Sequence, residues 1–509
     1  MNINQLKIGS LLSYFQMALS IVIGIGYTPI MLRLLGQSEY GLYNTVSSAI
    51  SMLSVLSLGF NSSYIRYYAK YKVKNDDESI YRLNGLFLII FMIIGFIALL
   101  CGTFLSFNLD IVFDRGLTVS EQELAKKLML LLTVNLTISF PMSVFQNIIS
   151  AHERYVFLKL LGMMKTVLSP LVTLPLLLMG YRSVAMVSVT LAIALITDIS
   201  YLIYTKRVLK IKFRFGSIEK GLFKSLFRFT SFIALNLIVD QVNSNMGKFL
   251  LARFCGTRVV AVYAVGYSLY QYYMMFSTAI SGVFAPRIHR IVNETKNNNE
   301  LQKKELTSLF TKVGRIQFLV LSLIATGLIF FGPEFIMIWA GKEYTESYYV
   351  AVILIISSSI ALIQNVGIEI QRAQNNHSFR SIAYIIMAGI NLILTIIFSK
   401  KFGAVGASLG TATALIVANG FIMNVYYHKK CNIDIMAFWK NILRVSPGLI
   451  IPVICGCVMT KYFDFSYLPK MIAGIFVYVI IFTVSMCFIG MNEYERSLVK
   501  TPIRRMLKR

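Results

Sequence analysis

Asp240 and Lys248 stand about two helical turns apart inside an apolar run from 226 to 252, where neither charge has water to face. A central Asp, Lys or Arg costs about 2.5 to 3.5 kcal/mol on membrane-insertion scales, so each must meet a partner, a wet cavity or an interface. A carboxylate placed there can hold a cation or a proton, and a cation can hold an anionic group. Asp198, in the run 183–205, joins Asp240 as a candidate site for a coupling ion, Na+ or H+. Arg66 closes the run 42–68, and Arg33 and Arg253 end the runs 10–32 and 226–252; with Lys248 they are the candidate anion ligands. Plainer readings stand beside these. Arg33, Arg253 and Lys165 sit close enough to an interface to snorkel, and Asp240 shares its helix with Asn236 and Asn243, which could hydrogen-bond it.

Amides add to the picture. Asn61, Gln146, Asn147, Asn243, Gln364 and Asn365 lie in or near apolar runs, where they either line a wet cavity or bond helix to helix. Other chemistry is missing. There is no GxxxxGK phosphate loop, and His152, His289, His377 and His428 have no partners at metal-ligand spacing. The six cysteines lie mostly in or beside apolar segments and make no disulfide framework. The expectation is therefore no metal, no cofactor beyond a coupling ion, and no enzyme. An integral-membrane glycan polymerase or transferase would need carboxylates on a large outer loop, and no loop here is long enough.

The elements that position these residues follow from composition. A 509-residue chain that is 56% hydrophobic and 14% charged cannot cover its apolar surface in water. Apolar runs of roughly 20 residues each cover 10–32, 42–68, 83–107, 125–150, 158–179, 183–205, 226–252, 259–285, 312–331, 347–368, 381–399, 404–427, 441–460 and 468–489. The fold expected is an all-α integral membrane protein of about 14 transmembrane helices. The net charge of +26 is spread between the runs, so it marks membrane orientation and not a nucleic-acid surface. Most Lys and Arg fall in alternate loops, which puts both termini in the cytoplasm.

The chain also repeats itself. Arg33, Gly36, Gly41 and Tyr43 are echoed by Arg253, Gly256, Ala261 and Tyr263, and Tyr181 to Thr190 by Phe402 to Thr411, at an offset of about 220 residues. Gln146-Asn147 and Gln364-Asn365 keep nearly the same offset. Six spans per copy is an even number, so the copies are parallel: a lobe over 1–210, a lobe over 211–430, and two extra helices with a basic tail over 431–509. Between the lobes, Lys210, Lys212 and Arg214 alternate with apolar residues, and Lys220, Lys224 and Arg228 recur beside Leu222, Phe223 and Phe227, the pattern of a helix lying on anionic headgroups. The tail residues Arg504, Arg505, Lys508 and Arg509 suit the same surface.

Arg33-Leu-Leu-Gly36, Tyr40-Gly41, Tyr43, Gly59 with Arg66, Gly256 with Tyr263, Pro286, and Gly403-Ala-Val-Gly406 together resemble the oligosaccharide flippases of the multidrug, oligosaccharidyl-lipid and polysaccharide exporter superfamily. The resemblance implies a carrier in a bacterial plasma membrane that moves an undecaprenyl-pyrophosphate-linked oligosaccharide to the outer leaflet, alongside glycan-assembly enzymes. It implies a cationic cavity, here carried by Arg66, Lys248, Arg33 and Arg253. A multidrug or cation antiporter of the same superfamily is the alternative, and it would want a carboxylate-dominated cavity. Two departures matter. Gly247 stands where many relatives have an acidic residue, and the arginines expected of a peptidoglycan-precursor flippase are absent, which counts against lipid II as substrate.

Overall fold

Backbone in lipid has to satisfy its own hydrogen bonds, and a helix does so within one segment. The computed structural model describes residues 3–113, 117–216, 220–374 and 378–498, and among these the chain is helical, with no strand. We label α1 Ile3–Leu35, α2 Gln37–Val73, α3 Asp77–Phe107, α4 Val119–Ala151, α5 Tyr155–Leu178 and α6 Arg182–Val208. Next come α7 (220–255), α8 Thr257–Gly282, α9 Asn299–Trp339 and α10, which joins Ser347–Ile363 to Val366–Ala373 through a 41° bend. Phe379–Lys430 is 52 residues long and breaks at Gly403 (φ 54, ψ −129) into α11 and α12. Ile435–Tyr462 is α13 and Leu468–Gly490 is α14. Among the described residues, ten helices are long and apolar enough to cross a membrane, eleven with the bent pair. Splitting Phe379–Lys430 and adding α7 and α8 gives the expected set of about fourteen.

Local chemistry sets the boundaries. The Asp76 carboxylate accepts from Ser79 N at 3.0 Å to start α3, and Thr118 with Glu121 forms a reciprocal capping box at the start of α4. Asn298 caps α9 through Leu301 N. The turns between α1 and α2 and between α7 and α8 pass through Gly36 (φ 75, ψ 167) and Gly256 (φ 87, ψ 171), a region open essentially to glycine alone.

Contacts divide the chain into two compact units, Met1–Ala264 with Thr395–Ala407, and Val265–Leu394 with Ser408–Arg509. In the first, α3 packs along α4, α1 along α5, and α4 along α6. Phe60, Tyr64, Phe87, Phe91 and Phe140 form its aromatic core, with Phe60 and Tyr64 meeting Phe87 edge-on. Small residues let α3 close on α4: a Cβ on Gly95 would stand 2.8 Å from Thr137 O. In the second unit α9 packs against α10 and α14, and α13 against α14.

The basic link after α6 is extended and tied to α3. Arg214 N donates to Tyr81 O at 3.0 Å, Arg214 pairs with Glu78, and Asn84 Nδ2 donates to Lys212 O at 3.1 Å. The Glu78 carboxyl is held below its usual range by that hydrogen-bonded guanidinium. Helix resumes at Lys220. The side chains of Lys220, Leu222, Phe223, Lys224, Phe227 and Arg228 lie outside the described residues, as do the tail residues Arg504, Arg505, Lys508 and Arg509.

Candidate functional site

The candidate ligands fall on broken helices. α2 is interrupted by a 3-10 turn, Leu53–Ser57, and by two left-handed residues, Leu58 and Gly59, before the second half that carries Arg66. A Cβ on Gly59 would lie 2.4 Å from Ile233 Cγ2, so α7 crosses α2 where α2 breaks. α7 in turn opens into a π turn, Val242–Met246, between Asp240 and Lys248. On a regular α-helix Lys248 would sit about 80° round from Asp240; the wider turn brings the two back towards one face. Arg66 and Asp240 have exposed side chains, while Lys248 and Asn243 are half-buried.

Asn61 and Asn147 are brought together. Asn147 Nδ2 donates to Asn61 Oδ1 at 2.7 Å, joining α4 to α2, with Gln146 exposed beside them. The second copy repeats the link: Asn365 Nδ2, at the bend in α10, donates to Ser281 Oγ on α8 at 3.1 Å. Gln364 turns the other way, to Asn424 Oδ1 on α12 at 2.8 Å. These bonds join helices, the plainer of the two readings for amides in apolar runs.

The other cations divide by role. Arg33 lies in the last turn of α1 with its side chain exposed, and Arg253 in the last turn of α7, where cations offset the negative end of the helix dipole. Arg253 Nη1 also donates to Ile111 O at 3.0 Å, which fixes it to the loop after α3. Lys165 on α5 is the cation whose field reaches Asp198 on α6, so this lysine has an ionic neighbour as well as an interface. Gly247 faces Tyr263: a Cβ there would stand 3.0 Å from the phenol oxygen, so an acidic side chain at this position would displace a buried ring. No cluster of three or more His, Cys, Asp or Glu that could hold a metal occurs among the described residues.

Two features were not anticipated. Arg182 forms an ion pair with Glu39 at 2.8 Å and donates to Leu35 O at 2.6 Å, while Ser183 N donates to Glu39 Oε1 at 2.8 Å. Ser38 Oγ donates to Glu121 Oε1 at 2.5 Å and meets Thr257 Oγ1 at 3.1 Å, so the first copy of the motif touches the second. Both charges of the Arg182 pair lie inside the stretches that the repeat singles out, and pairing charges across those stretches is the signal that would have found it.

The profile of the polysaccharide biosynthesis proteins matches residues 10–292, more than half of the chain. The chain belongs to that family. Its fold is similar to that of a lipid II flippase, MurJ, in an inward closed conformation: TM-score 0.69 at 18% identity, over 97% of this chain and 99% of that one. An inward-facing multidrug resistance MATE transporter of the MOP superfamily gives 0.57 at 16%, over 86% and 99%. A MOP superfamily transporter from Pyrococcus furiosus, described as having a binding pocket of reverse polarity, gives 0.57 at 14%, over 83% and 96%. No curated protein matches the sequence. At these identities the structures establish the fold alone. The family member is thus a multi-pass membrane protein with a transporter and flippase fold, placed in polysaccharide biosynthesis by its profile.

Proposed function

We propose that this protein flips an undecaprenyl-pyrophosphate-linked oligosaccharide from the inner to the outer leaflet of a bacterial plasma membrane, with both termini in the cytoplasm. One observation carries the reading: a member of the polysaccharide biosynthesis family holds cations, Arg66 and Lys248, on interrupted apolar helices. A pyrophosphate is the part of such a substrate that cannot cross hydrocarbon unaided, and a cation on a membrane helix is what lowers that barrier. In this reading the lobes 1–210 and 211–430 alternate access, and Arg66 takes the headgroup near the cytoplasmic side. Arg33 and Arg253 offer charge near the other, with the amides nearby. Asp240 and Asp198 are the carboxylates to which Na+ or H+ binding would couple, since a bias between states needs a ligand that prefers one of them.

An apolar groove suits the lipid tail. It lies between α13 and α14, with a volume of about 480 Å³, lined by Val458, Met459, Phe463, Val477 and Ile481 among others. Hydrocarbon left in such a groove stays in lipid-like surroundings while only the headgroup is carried. Arg66→Ala should abolish surface glycan export at unchanged membrane abundance. Full export by that variant would remove Arg66 from the path. Proton- or sodium-driven efflux of organic cations, lost on Asp198→Asn and indifferent to Arg66→Ala, would instead favour the antiporter.

A further inference from the structure

α9 begins well before its apolar part, and its first turns carry a second cationic feature that the transport reading does not use. Lys304, Ser308, Thr311 and Arg315 recur at spacings of three and four, which places them on one face, with Leu306, Leu309, Phe310 and Val313 buried on the other. In sequence this is an ordinary solvated helix face. In the structure it is one wall of a cavity of about 780 Å³, whose other walls are Asp434 to Asn441 at the start of α13 and Asn492 with Tyr494 beyond α14.

The walls are fastened to one another. Buried Arg315 is bonded to buried Glu495 at 2.6 and 2.8 Å, to Asn441 O at 3.0 Å and to Gly490 O at 3.2 Å. Asp434 N donates to Thr307 Oγ1 at 2.9 Å, and the Asp434 carboxylate is occupied as the cap of Ala437 N at 3.0 Å. Arg315 is therefore neutralised by Glu495 and serves as floor. What lines the space is Lys303, Lys304 and Lys312, with the hydroxyls of Ser308 and Thr311, against the carboxylates of Glu300 and Asp434. Lys312 Nζ rests 3.5 Å from the centre of the Tyr494 ring.

We propose that this cavity binds a phosphate-bearing ligand. Ammonium groups act as point charges for phosphate, and neighbouring hydroxyls donate to its remaining oxygens. An apolar molecule would offer these ammonium and hydroxyl groups no partner, and a cation would face three ammonium groups against two carboxylates. The cavity lies where α9 enters its apolar stretch, the depth at which basic pockets meet headgroup phosphates. The same chemistry is offered by an anionic phospholipid headgroup and by a soluble phosphate compound. Its occupation would brace α9, the start of α13 and the segment after α14 against each other. The site lies wholly in the second unit and shares no residue with the proposed transport path, so either can fail without the other.

The test uses the full-length protein in two arms, with thermal shift and equilibrium binding as readouts. Inorganic pyrophosphate is titrated onto protein in phosphatidylcholine nanodiscs, both wild type and on an Arg66→Ala background so that binding in the proposed transport path is subtracted, and short-chain phosphatidylglycerol is compared with short-chain phosphatidylcholine in detergent. Each of Lys304→Gln and Lys312→Gln should weaken binding about fivefold, while Lys461→Gln, at the far end of α13, should not. Should Lys312→Gln unfold through loss of the Tyr494 contact, exposed Lys303 and Lys304 carry the test, and unliganded melting temperature separates the two effects. Loss in the pyrophosphate arm identifies a soluble phosphate ligand, and loss in the phosphatidylglycerol arm alone identifies a lipid headgroup. Binding equal in wild type and lysine variants in both arms, or no binding by wild type, overturns the proposal.

Discussion

At Arg182 (φ 52) the turn between α5 and α6 carries a charged side chain, and at the matching place in the second copy, Gly403 (φ 54), the turn between α11 and α12 carries none. Their neighbours differ in step. Arg182 pairs with Glu39, whereas a Cβ on Gly403 would stand 3.5 Å from Val259 Cγ1, the residue that echoes Glu39. Leu35 O accepts from Arg182, and Cys255, its echo, donates through Sγ to Ser399 O at 3.3 Å. The two positions thus share a positive φ, met by a residue in an ion pair in one copy and by a residue without a side chain in the other. A positive φ costs a non-glycine residue roughly 1 kcal/mol or more, and only the copy that kept the ion pair keeps the side chain.

The strongest test of this pairing lies at the point where the copies touch. Gly41 and Ala261 are echoes of each other, yet a Cβ on Gly41 would fall 1.8 Å from Thr257 O, while Ala261 already carries one. Gly41→Ala should destabilise the protein by about 3 kcal/mol through overpacking against backbone, read as a lowered melting temperature in detergent. Ala261→Gly should cost only about 1 kcal/mol, the helix-propensity difference. Equal effects would mean that the two positions are interchangeable and the close approach is not real.

Arg182→Ala comes next, at about 2 kcal/mol. It keeps the positive φ, removes two hydrogen bonds and leaves Glu39, whose side chain is 12% exposed, without its cation. The exposed half of Arg182 keeps the figure below that of a fully buried pair. Arg182→Gly combined with Glu39→Val installs the second copy's solution and should recover most of the loss. A double variant as unstable as Arg182→Ala would show that the two turns are not equivalent. Gly403→Ala is smaller, about 1 to 2 kcal/mol, because its ψ of −129 with positive φ suits glycine alone while the Cβ itself finds room.

How far the residues themselves announced this arrangement depends on which physical rule they obey. Helix number and approximate ends follow from apolar runs, because hydrocarbon leaves backbone no alternative; breaks inside the runs, at Leu58–Gly59, at Val242–Met246 and at the bend after Ile363, escaped that rule, since composition does not show local winding. The repeat was legible as spacing, and Gly36 and Gly256 share their dihedrals as it requires. The candidate site was legible as an inventory of charges, but not as contacts. Asn147 with Asn61 and Asn365 with Ser281 lie about 85 residues apart along the chain, and such pairings depend on which helix faces meet. The cavity beside Lys304 was hidden for the same reason: its roof is built from residues beyond α12.

A last contrast sets His152 against the equivalent end of the second copy, which has no histidine partner of this kind among the described residues. His152 Nδ1 lies 2.8 Å from Ile148 O and Nε2 lies 3.0 Å from Tyr68 Oη, so the neutral ring donates through Nδ1 and accepts from the phenol. Burial holds its pKa below the usual histidine value, against the pull of the Ile148 hydrogen bond. A base whose pKa is lowered on folding takes up its proton in the unfolded chain first. The stability it contributes is therefore whole above the unfolded value of about 6.5 and declines as pH falls from there through the lower folded value. Protonation also turns the Nε2 acceptor into a donor facing the Tyr68 hydroxyl. Between pH 7.5 and 5.5 the wild type should lose slightly more melting temperature than His152→Gln, and Tyr68→Phe should remove part of that difference. Parallel pH profiles for wild type and His152→Gln would mean that this ring does not titrate on unfolding.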